Sequence, residues 1–347
     1  MERAAGLISK DTVRWVSLIA HGRLKCLDVR PPKEFQKRHL YGSVNIPSTT
    51  IAGRWFQLPA KQEGFVVLEQ DGSSIDEKEG GSCSEQLQQK GWKIEGSIRA
   101  STELWQWIEQ NGMIEQGESK RLLFDPSPHL KENISMIEGN LRKSEARVLD
   151  VGCGSGRDLA WLCSRESKIR YKVTAVDAEK RAIYRFSSLF ETLGLEDHIE
   201  HKQIAKMDSV GKWKCYNMEG KRDINIPDLS TSDLMKFFET SSTTKPGKQD
   251  EKYDLVVQIR FLHRLLLTQT DQLLCDDGFL FLCTFVNDGI HDYEYPKGQE
   301  HRLELGEAAQ LIRSSSPSMK ILKEEVGFIE DGRPVQVLLA QKQASVH

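Results

Sequence analysis

No stretch of this 347-residue chain restricts its fold more than Arg147-Val148-Leu149-Asp150-Val151-Gly152-Cys153-Gly154-Ser155-Gly156-Arg157-Asp158-Leu159. Apolar β-formers run straight into alternating glycines and then into a helical pattern, which predicts strand, glycine loop, helix. Residues without a Cβ tolerate positive φ and let backbone N–H groups and a helix N-terminus come close to a ligand. The spacing is Gly-x-Gly-x-Gly, and Arg157 stands where a dinucleotide fingerprint places its third glycine. That weakens an NAD or FAD reading.

A second signal follows. Residues 171–177 read as a strand ending in Asp177, about 20 residues beyond the glycine loop, where an acid accepts hydrogen bonds from both ribose hydroxyls of an adenosine ligand. Its other reading is a cap for the helix over 178–193, whose Ile183, Phe186, Phe190 and Leu193 make an apolar stripe. Residues 198–207 read as a third strand, with Asp208 at its end. The polar stretch 219–251 reads as a surface insertion, with a helical piece near Leu234, Phe237 and Phe238. Residues 253–259 form a clear fourth strand running into Arg260-Phe261-Leu262-His263-Arg264. In a doubly wound sheet the carboxyl ends of the strands border the ligand crevice, so Arg260, Phe261 and His263 are expected to face ligands. Bracing the next helix is the other role open to His263. A helix end, a turn and a fifth strand are expected over 273–282, and a helix beginning at Leu303. The final antiparallel hairpin is expected over 320–327 and 335–341, turning at Asp331-Gly332-Arg333-Pro334.

The run Val-Leu-Asp-Val-Gly-Cys-Gly-Ser-Gly resembles the first motif of class I S-adenosylmethionine (SAM) dependent methyltransferases. Arg-Phe-Leu-His-Arg and the tail resemble a subgroup that includes the tellurite-resistance methyltransferases. The resemblance implies a Rossmann-like α/β sheet and SAM as cofactor, with Gly152, Gly154 and Gly156 approaching it and Asp177 on its ribose. It further implies Asp150 at the amino-acid end of the cofactor, Asp208 near the adenine, and Arg260 and Phe261 lining the site. On the acceptor side, His263 is the candidate base and Arg260 or Arg264 would attract an anionic acceptor. No Asn-Pro-Pro-Tyr-like motif follows the fourth strand, which disfavours amino-group acceptors. The expected acceptor is a small thiol, chalcogen or similar metabolite. A protein or RNA acceptor, or a SAM-binding scaffold without turnover, are the alternatives.

The N-terminal part reads as a separate parallel α/β unit. Leu27-Asp28-Val29-Arg30-Pro31-Pro32-Lys33-Glu34-Phe35, followed by His39-x-x-Gly42-x-x-Asn45-Ile46-Pro47, closely resembles the first half of a rhodanese-like domain. Active rhodaneses deliver a cysteine after the next strand, into a loop of backbone N–H groups. Here that strand, residues 64–68, runs into Glu69-Gln70-Asp71-Gly72-Ser73-Ser74, with neither Cys nor Arg. Cys83 lies near a helix start, which lowers a thiol pKa in favourable cases, so it is the candidate displaced nucleophile; a small residue beside a helix cap is its plainer role. The expected division is a rhodanese-like domain over 1–112, catalytically inactive and kept for docking, a linker over 113–128, and a SAM-dependent methyltransferase domain over 129–347. Within the linker, Leu123 and Phe124 are read as part of an apolar tether, with closure over a bound substrate as a second role.

Composition narrows the partners. A net charge of −3 argues against generic nucleic-acid binding. No apolar run approaches the roughly 18 residues a membrane span needs, and the start of the chain does not read as a signal peptide, so no membrane partner and a cytoplasmic location are expected. Seven cysteines without a Cys-x-x-Cys pair suggest neither a metal site nor a disulfide framework.

Overall fold

The computed structural model describes residues 8–71, 81–241 and 252–344. Its contacts divide the chain into two units, 1–125 and 126–347.

In the first unit, α1 (Lys10–Ala20) is opened by Ser9, whose side chain accepts the Thr12 N–H. Strands β1 (Lys25–Asp28), β3 (Ser43–Asn45), β4 (Phe65–Gln70) and β5 (Ile94–Ala100) form a parallel sheet in the order β3-β1-β4-β5. Helices α2 (Pro32–Lys37), α3 (Cys83–Gln89) and α4 (Thr102–Gln110) complete the layers. The short strands β2 (His39–Leu40) and β6 (Ile114–Glu115) pair antiparallel, and Leu123 is buried in the core with Leu27, Phe65 and Val67. Leu123 therefore packs into the first unit's core. Behind the Asp-Val-Arg run lies a buried ion pair: Arg30 Nη2 is 2.6 Å from Asp28 Oδ2, and the guanidinium stacks 4.5 Å above the Trp105 ring. The Asn45 amide donates to the backbone carbonyls of both Asp28 and Arg30, tying the next loop to the same strand end. Removing one partner of such a pair leaves an uncompensated buried charge, so this motif serves folding in its own right.

The second unit opens with α5 (Pro128–Asn140) and builds a sheet from β7 (Glu145–Val151), β8 (Arg170–Asp177), β9 (Ile199–Met207), β10 (Trp213–Tyr216), β11 (Tyr253–Ile259), β12 (Leu274–Asn287), β14 (Met319–Phe328) and β15 (Pro334–Lys342). The order is β10-β9-β8-β7-β11-β12-β15-β14, with β13 (Leu303–Glu304) beside the end of β12. Strands β9, β8, β7, β11 and β12 run parallel, while β15 and β14 form the expected antiparallel hairpin. Helices α6 (Arg157–Ser164), α7 (Lys180–Leu193), α8 (Thr231–Ser241), α9 (Arg264–Leu267), α10 (Thr270–Leu273) and α11 (Glu307–Ser315) accompany it. The long apolar runs of β11 and β12 are buried on both faces, as parallel strands covered by helices require.

Three details differ from the sequence reading. The turn expected before the fifth strand is a bulge inside β12: Asp277 takes φ 62°, and a Cβ on Gly278 would lie 2.9 Å from the Cys275 carbonyl oxygen. The helix expected from Leu303 starts at Glu307, because Leu303 and Glu304 pair with Val286 and Asn287 and Gly306 turns the chain at φ 77°. The polar insertion follows an edge strand, β10, and contributes α8, whose Leu234 and Phe238 are buried; its residues 242–251, like the 72–80 segment after β4, lie outside the described residues.

Phe281 lies in the middle of β12 and is fully buried. Phe281→Ala is expected to destabilise the second unit by about 3–5 kcal/mol, read from urea unfolding; a loss below about 1 kcal/mol would contradict the packing described.

Candidate functional site

The strand order reverses at β7, whose neighbours are β8 on one side and β11 on the other. A crevice therefore opens beyond the carboxyl ends of β7 and β11, the place where open α/β sheets bind ligands. The glycine loop leaves β7 there. Gly152, Gly154 and Gly156 have φ of 78°, 56° and 75°, a left-handed run that side chains with a Cβ resist. Close approach adds a second constraint: a Cβ on Gly152 would overlap the Phe261 ring, and one on Gly156 the Phe186 ring.

The loop is held to the end of β8. The Gly152 N–H donates to the Val176 carbonyl at 2.8 Å, and the Gly154 N–H donates to Asp177 Oδ2 at 2.8 Å. Asp177 Oδ1 accepts the Glu179 N–H at 2.8 Å, so the carboxylate spans the loop and the start of α7. Asp150 is buried beneath, and burial, reinforced by the charges of Asp158 and Asp177, pushes its carboxyl well above the usual range. Asp158, in the first turn of α6, is also raised, by burial, although its Oδ1 accepts the Ser127 N–H at 2.6 Å. Three carboxyl groups thus converge on one loop, a field that favours a cationic ligand. Asp158 was not singled out from sequence, since an acid in a helix's first turn reads as an ordinary complement to the dipole.

Arg260 ends β11 in a left-handed conformation, φ 55°, unusual for a residue with a long side chain. Its N–H donates to the Cys283 carbonyl at 2.7 Å, while its guanidinium pairs with Glu330 and faces the Asp158 carboxyl. This turn swings Phe261 onto Gly152. His263 is half-buried, its ring hydrogen-bonds the Met207 backbone, and its Nδ1 is buried with no partner. Burial lowers its pKa, so the imidazole is neutral near pH 7 and free to accept a proton. Asp208 faces His263 electrostatically, but its own oxygens are committed to a turn. Oδ1 accepts the Val210 and Lys212 N–H groups at 3.1 and 2.9 Å, Oδ2 lies 3.3 Å from Lys214, and these bonds hold the carboxyl low. Arg264 is engaged elsewhere, with Glu307 and the carbonyls of Glu300 and Arg302. An anion-attracting role for Arg264 is corrected on that ground. Asp150, the three glycines, Asp177 and Phe261 thus form one cluster, and His263 with Asp208 a second, joined through the chain at Arg260.

In the first unit, a cavity of about 510 Å³ lies at the carboxyl ends of the parallel strands, lined among others by Arg30, Ser48, Glu69, Cys83 and Arg99. Glu69 accepts the Ser84 N–H at 3.0 Å and the Ser97 hydroxyl at 2.8 Å, so a carboxylate occupies the start of α3. Cys83, at that start, has its thiol pushed up to about 11 by burial and by Glu69. The lowered thiol pKa considered from sequence is therefore corrected, because desolvation and a neighbouring carboxylate outweigh the helix terminus.

A doubly wound sheet with a glycine loop, an acidic second strand end and a cation-favouring field defines a nucleotide-type cofactor protein of the α/β class. Residues 125–320 match the family model described as a methyltransferase domain, and residues 14–113 match that of a rhodanese-like domain. The chain belongs to the methyltransferase-domain family and carries an N-terminal rhodanese-like domain. It is 50% identical over 334 residues to an uncharacterized Schizosaccharomyces pombe protein, UNK4.09, covering 96% of this chain and 97% of that one. Among solved structures it resembles a Burkholderia thailandensis 1,6-didemethyltoxoflavin-N1-methyltransferase with bound S-adenosylhomocysteine at TM-score 0.39, 16% identity and coverage of 63% and 80%. It also resembles TehB from Haemophilus influenzae at TM-score 0.37, 16% identity and coverage of 60% and 62%. No helix among the described residues is long and apolar enough to cross a membrane.

Because the folded state raises the Asp150 pKa above the ordinary 3.8, the stability it contributes is present below that value and is lost as pH rises through the folded pKa. Asp150→Asn is therefore expected to melt higher than wild type at pH 7–8, with the gap closing on acidification; a variant that melts lower at pH 8 would refute this. With its thiol at about 11, Cys83 is expected to react with iodoacetamide at pH 7.5 more slowly than a free cysteine, as read by peptide mass spectrometry. Faster labelling would mark it as an activated nucleophile.

Proposed function

We propose that the second unit transfers the methyl group of SAM to a small-molecule acceptor, a thiol, chalcogen or similar metabolite, and that the first unit is a non-catalytic docking module. The observation that carries the cofactor reading is the junction of glycine loop and Asp177 inside a field of three carboxyl groups. SAM offers an ammonium, a sulfonium and a ribose diol; the site offers carboxyl groups that accept from the hydroxyls and attract the positive charges.

In this reading Asp177 accepts from the ribose hydroxyls, and Gly152, Gly154 and Gly156 admit the cofactor against the backbone. Asp150 and Asp158 favour its positive end, Phe261 walls the loop, and Asp208 borders the adenine side through its turn. When bound, SAM supplies a methyl group on an already activated leaving group, so the protein's work is to align donor and acceptor. His263 is the acceptor-side base: neutral near pH 7, with a buried, unpartnered Nδ1, it takes the proton from a neutral acceptor. Arg260 orients the turn through its pairing with Glu330 and offers a cation only to an anionic acceptor that takes that carboxylate's place.

Support for an inactive first unit comes from Glu69, which fills the α3 N-terminus, and from the raised thiol of Cys83. A carboxylate in that place repels the anions a sulfur-transfer site must hold.

Calorimetry with SAM is expected to show saturable binding that Asp177→Ala weakens about 10-fold to 100-fold, the range of one or two hydrogen bonds to a charged group. Unchanged affinity would remove Asp177 from the site. Tritium-methyl transfer into a small-molecule extract is the expected activity. Label in protein or RNA instead would replace the acceptor class, and binding without transfer would leave a scaffold.

A further inference from the structure

A second cluster of ligating side chains lies away from the glycine loop, between the first turn of α5 and the edge strand β14. His129 and Glu132 stand three residues apart on one face of α5, and Glu325 comes from β14; their ligating atoms all lie within 4.8 Å of one another. His129 is 8% exposed, and its ring lies so close to β14 that a Cβ on Gly327 would overlap it. Nε2 lies 3.1 Å from the Phe328 carbonyl, a pure acceptor, so Nε2 carries a proton. That bond fixes the ring and turns Nδ1, which is buried and has no hydrogen-bond partner, toward the two carboxylates.

A lone pair facing two carboxylates is repulsive unless a cation lies between them. Nδ1 and Glu132 Oε2 are 3.5 Å apart, longer than a direct hydrogen bond. Tetrahedral bonds of about 2.0–2.1 Å to a zinc-like ion place neighbouring ligand atoms about 3.4 Å apart. Lys323 shares Glu325, with Nζ 2.8 Å from Oε1, and the same carboxylate presents an oxygen within 4.8 Å of the His129 and Glu132 ligand atoms.

We infer that His129 Nδ1, Glu132 and Glu325 bind a divalent transition metal ion of the zinc class, with solvent completing its coordination. The Phe328 carbonyl is the outer partner that orients the imidazole, as metal-bound histidines usually require. The ion would clasp α5 to β14, the strand that ends the sheet among the described residues. Sequence gave no sign of it, since the pattern lacks cysteines and the third ligand lies far down the chain.

The test is calorimetric titration of chelator-stripped full-length protein with Zn²⁺, wild type beside E132Q/E325Q, with circular dichroism confirming both are folded. Both substituted positions are exposed isosteric changes, and Glu325→Gln alone serves if the double variant unfolds. Expected is one tight Zn²⁺ per chain in wild type, weakened at least 10-fold in the variant, with a Zn²⁺-dependent rise in Tm that the variant lacks. Cysteine-bound zinc would appear equally in both proteins. No saturable Zn²⁺ in wild type, or equal binding in the variant, would overturn the proposal. So would a Tm difference that appears only on acidification and ignores Zn²⁺, which would show a proton alone in the site.

Discussion

The second unit depends on how its glycine loop is tied to the neighbouring strand. Gly152 and Gly154 donate to Val176 and Asp177, so the end of β7 and the end of β8 are fixed to each other at one point. The loop takes left-handed φ at three glycines, and the space above Gly152 and Gly156 is taken by Phe261 and Phe186. A Cβ at Gly152 or Gly156 would meet both restrictions together. The switch in strand order then places this junction at the mouth of the sheet.

Around that junction the electrostatics are unusual for a stable core. Asp150 is buried beside two further carboxyl groups, and nothing in folding alone rewards the arrangement. A protein gains from such strain where a cation is to be bound, which accords with a sulfonium donor. Arg260 has the same character: a left-handed backbone held by a cross-strand bond to Cys283 sets Phe261 against Gly152 and is followed by His263 facing Asp208.

Much of this was legible in the sequence because local chemistry and tertiary role coincide. The run from Arg147 to Leu159 specifies strand, loop and helix by itself, and the β14–β15 hairpin by its turn residues. The Asp28-Val29-Arg30 run was legible as a family motif, and the structure adds its reason, a buried ion pair stacked on Trp105. What escaped depends on contacts between distant residues. Asp158 gains meaning only from Ser127 and Asp150, and Arg264 reads as a site cation until Glu307 is seen against it. The choice between the two readings of Cys83, an activated thiol or a small residue beside a helix cap, turns on Glu69 and burial, which raise the thiol. The bulge at Asp277 is hidden because Asp-Asp-Gly is also a good turn.

The central claim is that SAM is held at the glycine loop of the second unit. Ultraviolet cross-linking of methyl-labelled SAM to the full chain, followed by peptide mapping, tests it most directly. Label is expected in peptides covering residues 148–186 or 253–264, and excess S-adenosylhomocysteine should compete it away. Label confined to residues 8–125, or no competable label at saturating SAM, would contradict the account.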